Sequence, residues 1–153
     1  MNKTINTINK FHFGIYAIIL KNTSILLVKK RRGPYIGKLD LPGGKPEYGE
    51  IPIQTLKREV LEETGLIVYM GELFDNYSTV AKQHVELTGE NTHHMGMIYL
   101  IISYDDSALI NKMDTEDSLG ASWYKLDSLT SDILSPFVSM AIKDINNRMF
   151  SNF

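Results

Sequence analysis

Short apolar runs separated by polar turns dominate the first part of the chain and predict β-strands. Two β-branched runs, Gly14–Leu20 and Ser24–Lys30, flank the polar triplet at positions 21–23, which is typical of a hairpin. Further strands are predicted at Leu39–Leu41, Leu66–Thr79, His84–Thr88, His94–Tyr104 and Ala121–Leu126. The pattern therefore supplies enough strands for a sheet.

Two segments show helical spacing instead. The first is bounded by Pro52, which suits a first helical turn, and by Gly65, which suits a C-terminal cap. Ser135 and Pro136 form an N-cap and N1 pair at the start of the second. At about 100° per residue, each helix has one apolar face. These faces carry Ile53, Leu56, Val60 and Thr64 in the first helix, and Phe137, Met140, Ala141, Ile145 and Met149 in the second. Mixed strands and helices predict an α/β fold.

Composition narrows the class of protein. The chain has 153 residues, 43% of them hydrophobic and 22% charged, which predicts a single domain over residues 1–153. A net charge of −2 gives no general attraction to nucleic acid or anionic membrane. The absence of cysteine excludes disulfides and thiolate chemistry. No apolar stretch is long enough to span a bilayer, so we expect a soluble, cytoplasmic protein.

Three glutamates of the first helix, Glu59, Glu62 and Glu63, lie at i, i+3 and i+4 and share one face. This face lies roughly a quarter to a third of a turn from the apolar one, so the carboxylates project beside the packed side. A solvated acidic face is the ordinary interpretation of such a cluster. A site for Mg²⁺ or Mn²⁺ is the alternative, since these hard cations prefer carboxylate oxygens.

The spacing around these glutamates resembles the box of the Nudix hydrolases. That box reads Gly, five residues, Glu, seven residues, Arg-Glu, an aliphatic residue, any residue, Glu-Glu, any residue, Gly and an aliphatic residue. The matching positions here are Gly44, Glu50, Arg58, Glu59, Val60, Glu62, Glu63, Gly65 and Leu66. The resemblance implies an α/β/α sandwich with a mixed β-sheet, in which the box forms a loop-helix-loop.

The resemblance also implies a chemistry. Nudix hydrolases cleave a diphosphate linkage in nucleoside di- or triphosphate derivatives by water attack at phosphorus, with Mg²⁺ or Mn²⁺. Carried over to this chain, Glu59, Glu62 and Glu63 are catalytic and bind the metal, with the Gly44 carbonyl as a further ligand. Arg58 and Glu50 would form an ion pair that holds the loop to the helix. Ile51 departs from the family pattern, in which Ser or Thr often caps this helix.

Charged residues outside the box are candidates for the rest of the site. The family often takes another acid from a loop before the last strand, and Glu116 and Asp117 lie in the polar stretch 105–120. Glu116 is thus either a further metal ligand or a solvent-facing charge. Arg31, Arg32 and Lys38 are either substrate-binding residues that grip phosphates or exposed loop charges.

Aromatic and imidazole side chains allow two interpretations. Tyr16, Tyr35, Tyr77 and Trp123 either stack on a base or belong to the core. His93 and His94 are not assigned to a metal, because a hard cation in a carboxylate site does not favour imidazole.

The expected partner is a small-molecule nucleotide, bound by a monomer or homodimer without membrane attachment. A free nucleoside triphosphate, including a modified one removed in nucleotide housecleaning, is the first choice of substrate. Two alternatives stay open: a non-catalytic nucleotide-binding Nudix-like module, and a pyrophosphohydrolase acting on RNA 5′ ends. The net charge disfavours nucleic acid.

Overall fold

Eight strands and two α-helices build the part of the chain that this computed structural model describes, residues 6–85, 88–109 and 118–149. The strands are β1 (Asn6–Ile18), β2 (Leu20–Lys21), β3 (Ser24–Lys30), β4 (Leu39–Asp40), β5 (Gly43–Gly44), β6 (Ile67–Val85), β7 (Thr88–Asp105) and β8 (Ser118–Lys125). The helices are α1 (Pro52–Thr64) and α2 (Pro136–Met149). Neither helix has the length and apolar character needed to cross a membrane.

The strands form two sheets. The first has the order β5-β1-β7-β6 and is mixed, because β1 runs parallel to β7 while β5 and β6 pair antiparallel. The second contains β2, β3 and β4, with β8 paired to β3. The mixed sheet expected from the resemblance is therefore present.

The first predicted hairpin is confirmed at its turn and wrong at its first strand. Lys21 pairs with Ser24 across a turn in which Asn22 has a positive φ of 54°. The run 14–20, predicted as one strand, is divided between β1 of the first sheet and β2 of the second, with Ile19 between them. Residues 15–19 are all buried, so the apolar run continues where the chain passes from the first sheet to the second. The sequence therefore gives no sign that one strand ends and another begins.

The second half of the first sheet also differs from the sequence prediction. The predicted gaps at residues 80–83 and 89–93 are wrong, since β6 and β7 pair through them, as in Val80 opposite His93 and Lys82 opposite Asn91. Side chains here are mostly exposed or half-buried. The apolar pattern therefore fades while the backbone ladder continues, which hides the strands from a hydrophobicity-based prediction.

Both helices are confirmed, and α1 has the predicted bounds. Gly65 caps it in the left-handed conformation, φ 75°, and its N–H donates to the Leu61 carbonyl at 2.9 Å. Ile51 supplies no side-chain cap, but Oε1 of Gln54 accepts the Ile51 N–H at 3.1 Å. Gln54 thus accepts the N–H of the N-cap residue, as the corresponding Glu or Gln does in a capping box. The reciprocal side-chain bond that a Ser or Thr would make is the one that Ile51 lacks.

The core has two parts on opposite faces of the first sheet. Alternate β1 residues separate them: Tyr16 and Ile18 pack with Phe137 of α2, whereas Ile15 and Ala17 pack with Leu56 of α1. This alternation follows from the two-residue period of a strand. The two helices thus cover opposite faces, which confirms the predicted α/β/α arrangement.

Candidate active site

A cavity of about 500 Å³ lies where α1, β5, the loop 31–38 and the polar ends of β1 and β7 meet. Three kinds of side chain line it. The carboxylates are Asp40, Glu59, Glu63 and Glu90, the cationic residues include Lys30, Arg32 and Lys45, and the rings include His12, Tyr16, Tyr35 and His94. One cavity therefore brings together negative, positive and aromatic walls.

Among the predicted glutamates that the structure describes, Glu63 is the most enclosed, with 5% of its surface exposed. Its Oε2 accepts a 2.9 Å hydrogen bond from the Gly43 N–H. Burial, together with the charges of Glu59 and Asp40, raises the pKa of Glu63 to about 8, although the Gly43 hydrogen bond and the charge of Lys30 act in the opposite direction. A neighbouring cation would stabilise the ionised form of such a buried carboxylate.

Glu59 lies against the backbone of Gly44. A Cβ at position 44 would fall 2.6 Å from the Glu59 carboxyl carbon, so only glycine leaves room for this carboxylate. Gly43 is equally constrained: its φ is 147°, and a Cβ there would lie 2.1 Å from the Ile15 carbonyl oxygen. The two glycines therefore let β5 approach β1 on one side and Glu59 on the other.

The predicted Arg58–Glu50 ion pair is present and bidentate. Arg58 donates from Nε to Glu50 Oε1 at 2.6 Å and from Nη2 to Oε2 at 2.9 Å. Arg58 lowers the pKa of Glu50 to about 2, and the Glu47 N–H and Thr55 hydroxyl contribute. Nη1 of Arg58 also donates to Glu59 Oε1 at 2.9 Å. The pair thus links the loop before α1 to a cavity carboxylate.

Glu62 occupies a different position from its two neighbours. It is outside the cavity wall, its side chain is 55% exposed, and Oε2 lies 3.3 Å from Arg58 Nη1. The structure thus brings Glu59 and Glu63 together at the cavity, while Glu62 lies on the outer side of Arg58.

The donor set fits a hard divalent cation. Within residues 6–85, 88–109 and 118–149, no three Asp, Glu, His or Cys side chains group closely enough to hold a metal alone. Mg²⁺ is commonly bound through one or two carboxylates together with waters and substrate phosphates. Glu59 and the buried Glu63, next to the Gly44 backbone, match that pattern.

The predicted cationic residues are divided. Arg32 lines the cavity, whereas Arg31 is outside its wall and Lys38 donates from Nζ to the Asp132 carbonyl. Lys30 and Lys45 line the cavity and were missed in the sequence. The sequence signal for Lys30 was its position next to the predicted loop 31–38, and the signal for Lys45 was its position directly after Gly44. Glu116 and Asp117 lie outside the described residues.

The aromatic wall centres on His94. Its Nε2 lies 2.7 Å from the Tyr16 hydroxyl, and its ring stacks on Phe137 at 4.2 Å and on Tyr35 at 5.7 Å. Burial lowers the pKa of His94 to about 3, with His12 and Lys30 adding to the effect, so the imidazole is neutral. Tyr16 and Tyr35 thus line the cavity, and both contact the ring of His94.

The other ring candidates lie elsewhere. Tyr77 is buried in the core and donates to Asp144 at 2.8 Å, and Trp123 packs near Tyr104. His93 contacts Ser78 Oγ at 2.8 Å. None of these three lines the cavity.

Asp40 is a cavity residue that sequence reasoning missed. It is 2% exposed, and its Oδ1 accepts hydrogen bonds from the Leu41 N–H at 2.9 Å and the Ser135 hydroxyl at 2.7 Å. Burial raises its pKa, opposed by those bonds and by Lys30. A single polar residue between Leu39 and Leu41 in a buried strand was the available signal.

The fold and cavity define an α/β protein in which carboxylates and cationic side chains share one cavity. Residues 10–141 match the model of the NUDIX domain, and the chain belongs to the Nudix family.

Relatives and solved structures agree with this assignment. An ADP-ribose pyrophosphatase of Methanocaldococcus jannaschii is 44% identical over 66 residues, covering 43% of this chain and 39% of that protein. An 8-oxo-dGTP diphosphatase of Haemophilus influenzae is 36% identical over 66 residues, covering 41% and 48%. The matches thus span less than half the length of either relative. A MutT NUDIX hydrolase structure from Burkholderia pseudomallei superposes with a TM-score of 0.69 at 23% identity, covering 89% of this chain and 98% of that one.

Proposed function

We propose that this protein hydrolyses a diphosphate linkage in a nucleoside di- or triphosphate derivative, with Mg²⁺ or Mn²⁺ as cofactor. The supporting observation is the arrangement of one cavity, in which Glu59 and Glu63 share the walls with Lys30, Arg32 and Lys45. Carboxylates suit a hard cation, and cationic side chains suit phosphate oxygens.

In this proposal Glu59 and Glu63 hold the cation, together with the carbonyl of Gly44. A bound divalent cation supplies phosphate charge neutralisation and a lowered pKa of water. The buried state of Glu63 favours this role, because a carboxylate with so little solvent is stabilised by a positive charge.

The remaining residues orient the Glu59 carboxylate and bind the phosphates of the substrate. Arg58, held by Glu50, fixes the Glu59 carboxylate at the cavity edge. Lys30, Arg32 and Lys45 bind phosphate oxygens. Water attacks phosphorus, a P–O bond of the anhydride breaks, and a cavity carboxylate accepts the proton of the water.

The substrate class is supported by the names of the relatives. The two partial matches are an ADP-ribose pyrophosphatase and an 8-oxo-dGTP diphosphatase. Both names describe cleavage of a phosphoanhydride in a nucleotide derivative. We retain a free nucleoside triphosphate, including a modified one, as the first substrate to test.

We further propose that residues 1–153 act as one domain in the cytoplasm, as a monomer or homodimer. The family match over residues 10–141 supports the single domain. The absence of cysteine is compatible with a reducing compartment.

A nucleotide panel tests the activity. Nucleoside triphosphates, modified triphosphates, ADP-ribose, sugar nucleotides and 5′-triphosphorylated RNA are incubated with Mg²⁺, with Mn²⁺ and with EDTA. We expect hydrolysis only with a cation, and a loss of at least about 10²-fold in Glu63→Gln. Glu72→Gln, at an exposed position of β6, is the control and retains wild-type turnover. Full activity in a folded Glu63→Gln protein would contradict the proposal, and tight binding without turnover would favour the non-catalytic module.

A further inference from the structure

Tyr35 carries an unsatisfied polar atom in the wall of the cavity. Its hydroxyl is buried and has no hydrogen-bond partner, and no other buried side-chain nitrogen or oxygen of the described residues shares this state. Buried polar groups in native proteins are almost always paired, because an unpaired one costs about 1–3 kcal/mol. The position therefore requires an explanation beyond packing.

Hydrogen bonds fix the backbone around Tyr35, and its ring packs on one neighbouring ring. Its carbonyl accepts the Lys38 N–H at 2.9 Å, and within the same loop the Gly37 N–H donates to the Lys30 carbonyl at 2.9 Å. Its ring stacks on His94 at a centroid distance of 5.7 Å and an interplanar angle of 28°. A phenylalanine would make the same ring contact, so stacking alone does not account for the hydroxyl.

The chemical state of the hydroxyl is also defined. Burial and the nearby carboxyl of Asp40 raise the pKa of Tyr35 to about 12, so the phenol keeps its proton. The group is thus a hydrogen-bond donor in the aromatic wall of the cavity, near Asp40 and next to His94. The stacked rings of Tyr35 and His94 form the part of the cavity wall that suits the flat, apolar face of a nucleobase.

We propose that Tyr35 is a specificity-determining residue, whose hydroxyl donates a hydrogen bond to an acceptor atom on the nucleobase of the bound nucleotide. This inference rests on the proposed function for the class of ligand. The Tyr35 side chain shifts toward the cavity to make the bond, and the ligand supplies the partner that the phenol lacks. The acceptor is a carbonyl oxygen or a ring nitrogen of the base.

Binding measured without turnover tests this inference separately from the proposed activity. Wild type, Tyr35→Phe and the control Tyr48→Phe are titrated with AMP, GMP, CMP, UMP and ribose 5-phosphate by calorimetry. Tyr48 is a matched control because it is fully exposed. Thermal unfolding of all three proteins is recorded as a second readout.

We expect Tyr35→Phe to weaken binding of at least one nucleoside monophosphate by about tenfold. We expect ribose 5-phosphate to bind equally to wild type and Tyr35→Phe, and the melting temperature of Tyr35→Phe to stay equal or rise, because an unpaired hydroxyl is removed. Equal affinity of both proteins for every nucleotide, or no nucleotide binding by wild type, would overturn the inference. A matching loss for ribose 5-phosphate would overturn the base assignment. Failure of hydrolysis in the panel, with base-dependent binding intact, would reject only the proposed activity.

Discussion

The Gly43 N–H donates a 2.9 Å hydrogen bond to Oε2 of Glu63, joining β5 to the buried end of the α1 acidic face. The bond does not offset the burial of Glu63, whose pKa is raised to about 8. The protein therefore keeps a carboxylate where folding alone disfavours its charge.

This relationship predicts a pH-dependent stability in chelator. The folded-state pKa of Glu63 lies above its ordinary value of 4.5, so the folded protein binds more protons than the unfolded chain between about pH 4.5 and pH 8. The free energy of unfolding then decreases as pH rises through this window, by at most about 1.4 kcal/mol per pH unit from this group. Urea unfolding with EDTA at several pH values measures it. Glu63→Gln removes the titrating proton, and an identical pH slope in wild type and variant would contradict the prediction.

A methyl group at Gly44 should displace the Glu59 carboxylate. The added Cβ would lie 2.6 Å from its carboxyl carbon, so Glu59 must move from the cavity edge. We expect Gly44→Ala to lower kcat/KM by about 10²-fold, as an error of about 1 Å in a catalytic group does. Gly71→Ala is the control, because its nearest neighbour is the end of the Ile101 side chain at 3.0 Å. Steady-state kinetics with the best panel substrate decide the matter, and equal losses in both variants would count against the steric explanation.

Arg58→Lys should reduce both stability and activity. Lysine keeps the charge but cannot form the two parallel bonds that Arg58 makes with Glu50, nor contact Glu59 at the same time. We expect a lower melting temperature and a loss of about tenfold in kcat/KM through misplacement of Glu59. The neighbouring Lys57→Arg is the control, since Lys57 is exposed. Unchanged kinetics in Arg58→Lys would show that the bidentate geometry is dispensable.

Ser135→Ala should destabilise the fold through two contacts. The Ser135 hydroxyl donates to Asp40 at 2.7 Å and lies 3.5 Å from the Val138 N–H at the start of α2. Its removal leaves a buried carboxyl short of a donor and a helix without its cap, which costs about 1–3 kcal/mol. Chemical denaturation measures the change, with the exposed Ser128→Ala as comparison. A difference between the two variants within error would contradict this role of Ser135.

The sequence predicted local features well because their signals are local. Pro52 and Gly65 gave the bounds of α1, since an N1 proline and a left-handed cap act on the helix next to them. The Arg58–Glu50 pair followed from the family resemblance and is present. Positions of Glu59 and Glu63 at one cavity agree with the predicted shared face.

Features that depend on distant partners were missed. The side-chain donor that Asp40 has in its buried position comes from Ser135, which lies 95 residues later in the chain. The enclosure of His94 depends on Tyr16 and Phe137, which come from other elements. The outer parts of β6 and β7 carry polar residues, and their strand structure comes from the backbone ladder and from pairing with β1. No local pattern records such pairings.

The parallel pairing of β1 with β7 has a consequence during synthesis of the chain. Each β1 residue faces the one 82 positions later, from Asn6 opposite Thr88 to Ile18 opposite Leu100. At about 5–20 residues per second, a ribosome needs on the order of ten seconds to deliver that partner. During this interval the apolar segment that becomes Ile15–Ile19 has only the two-residue strand β5 as a partner in its sheet, so a nascent chain stalled before residue 88 exposes a target for chaperones.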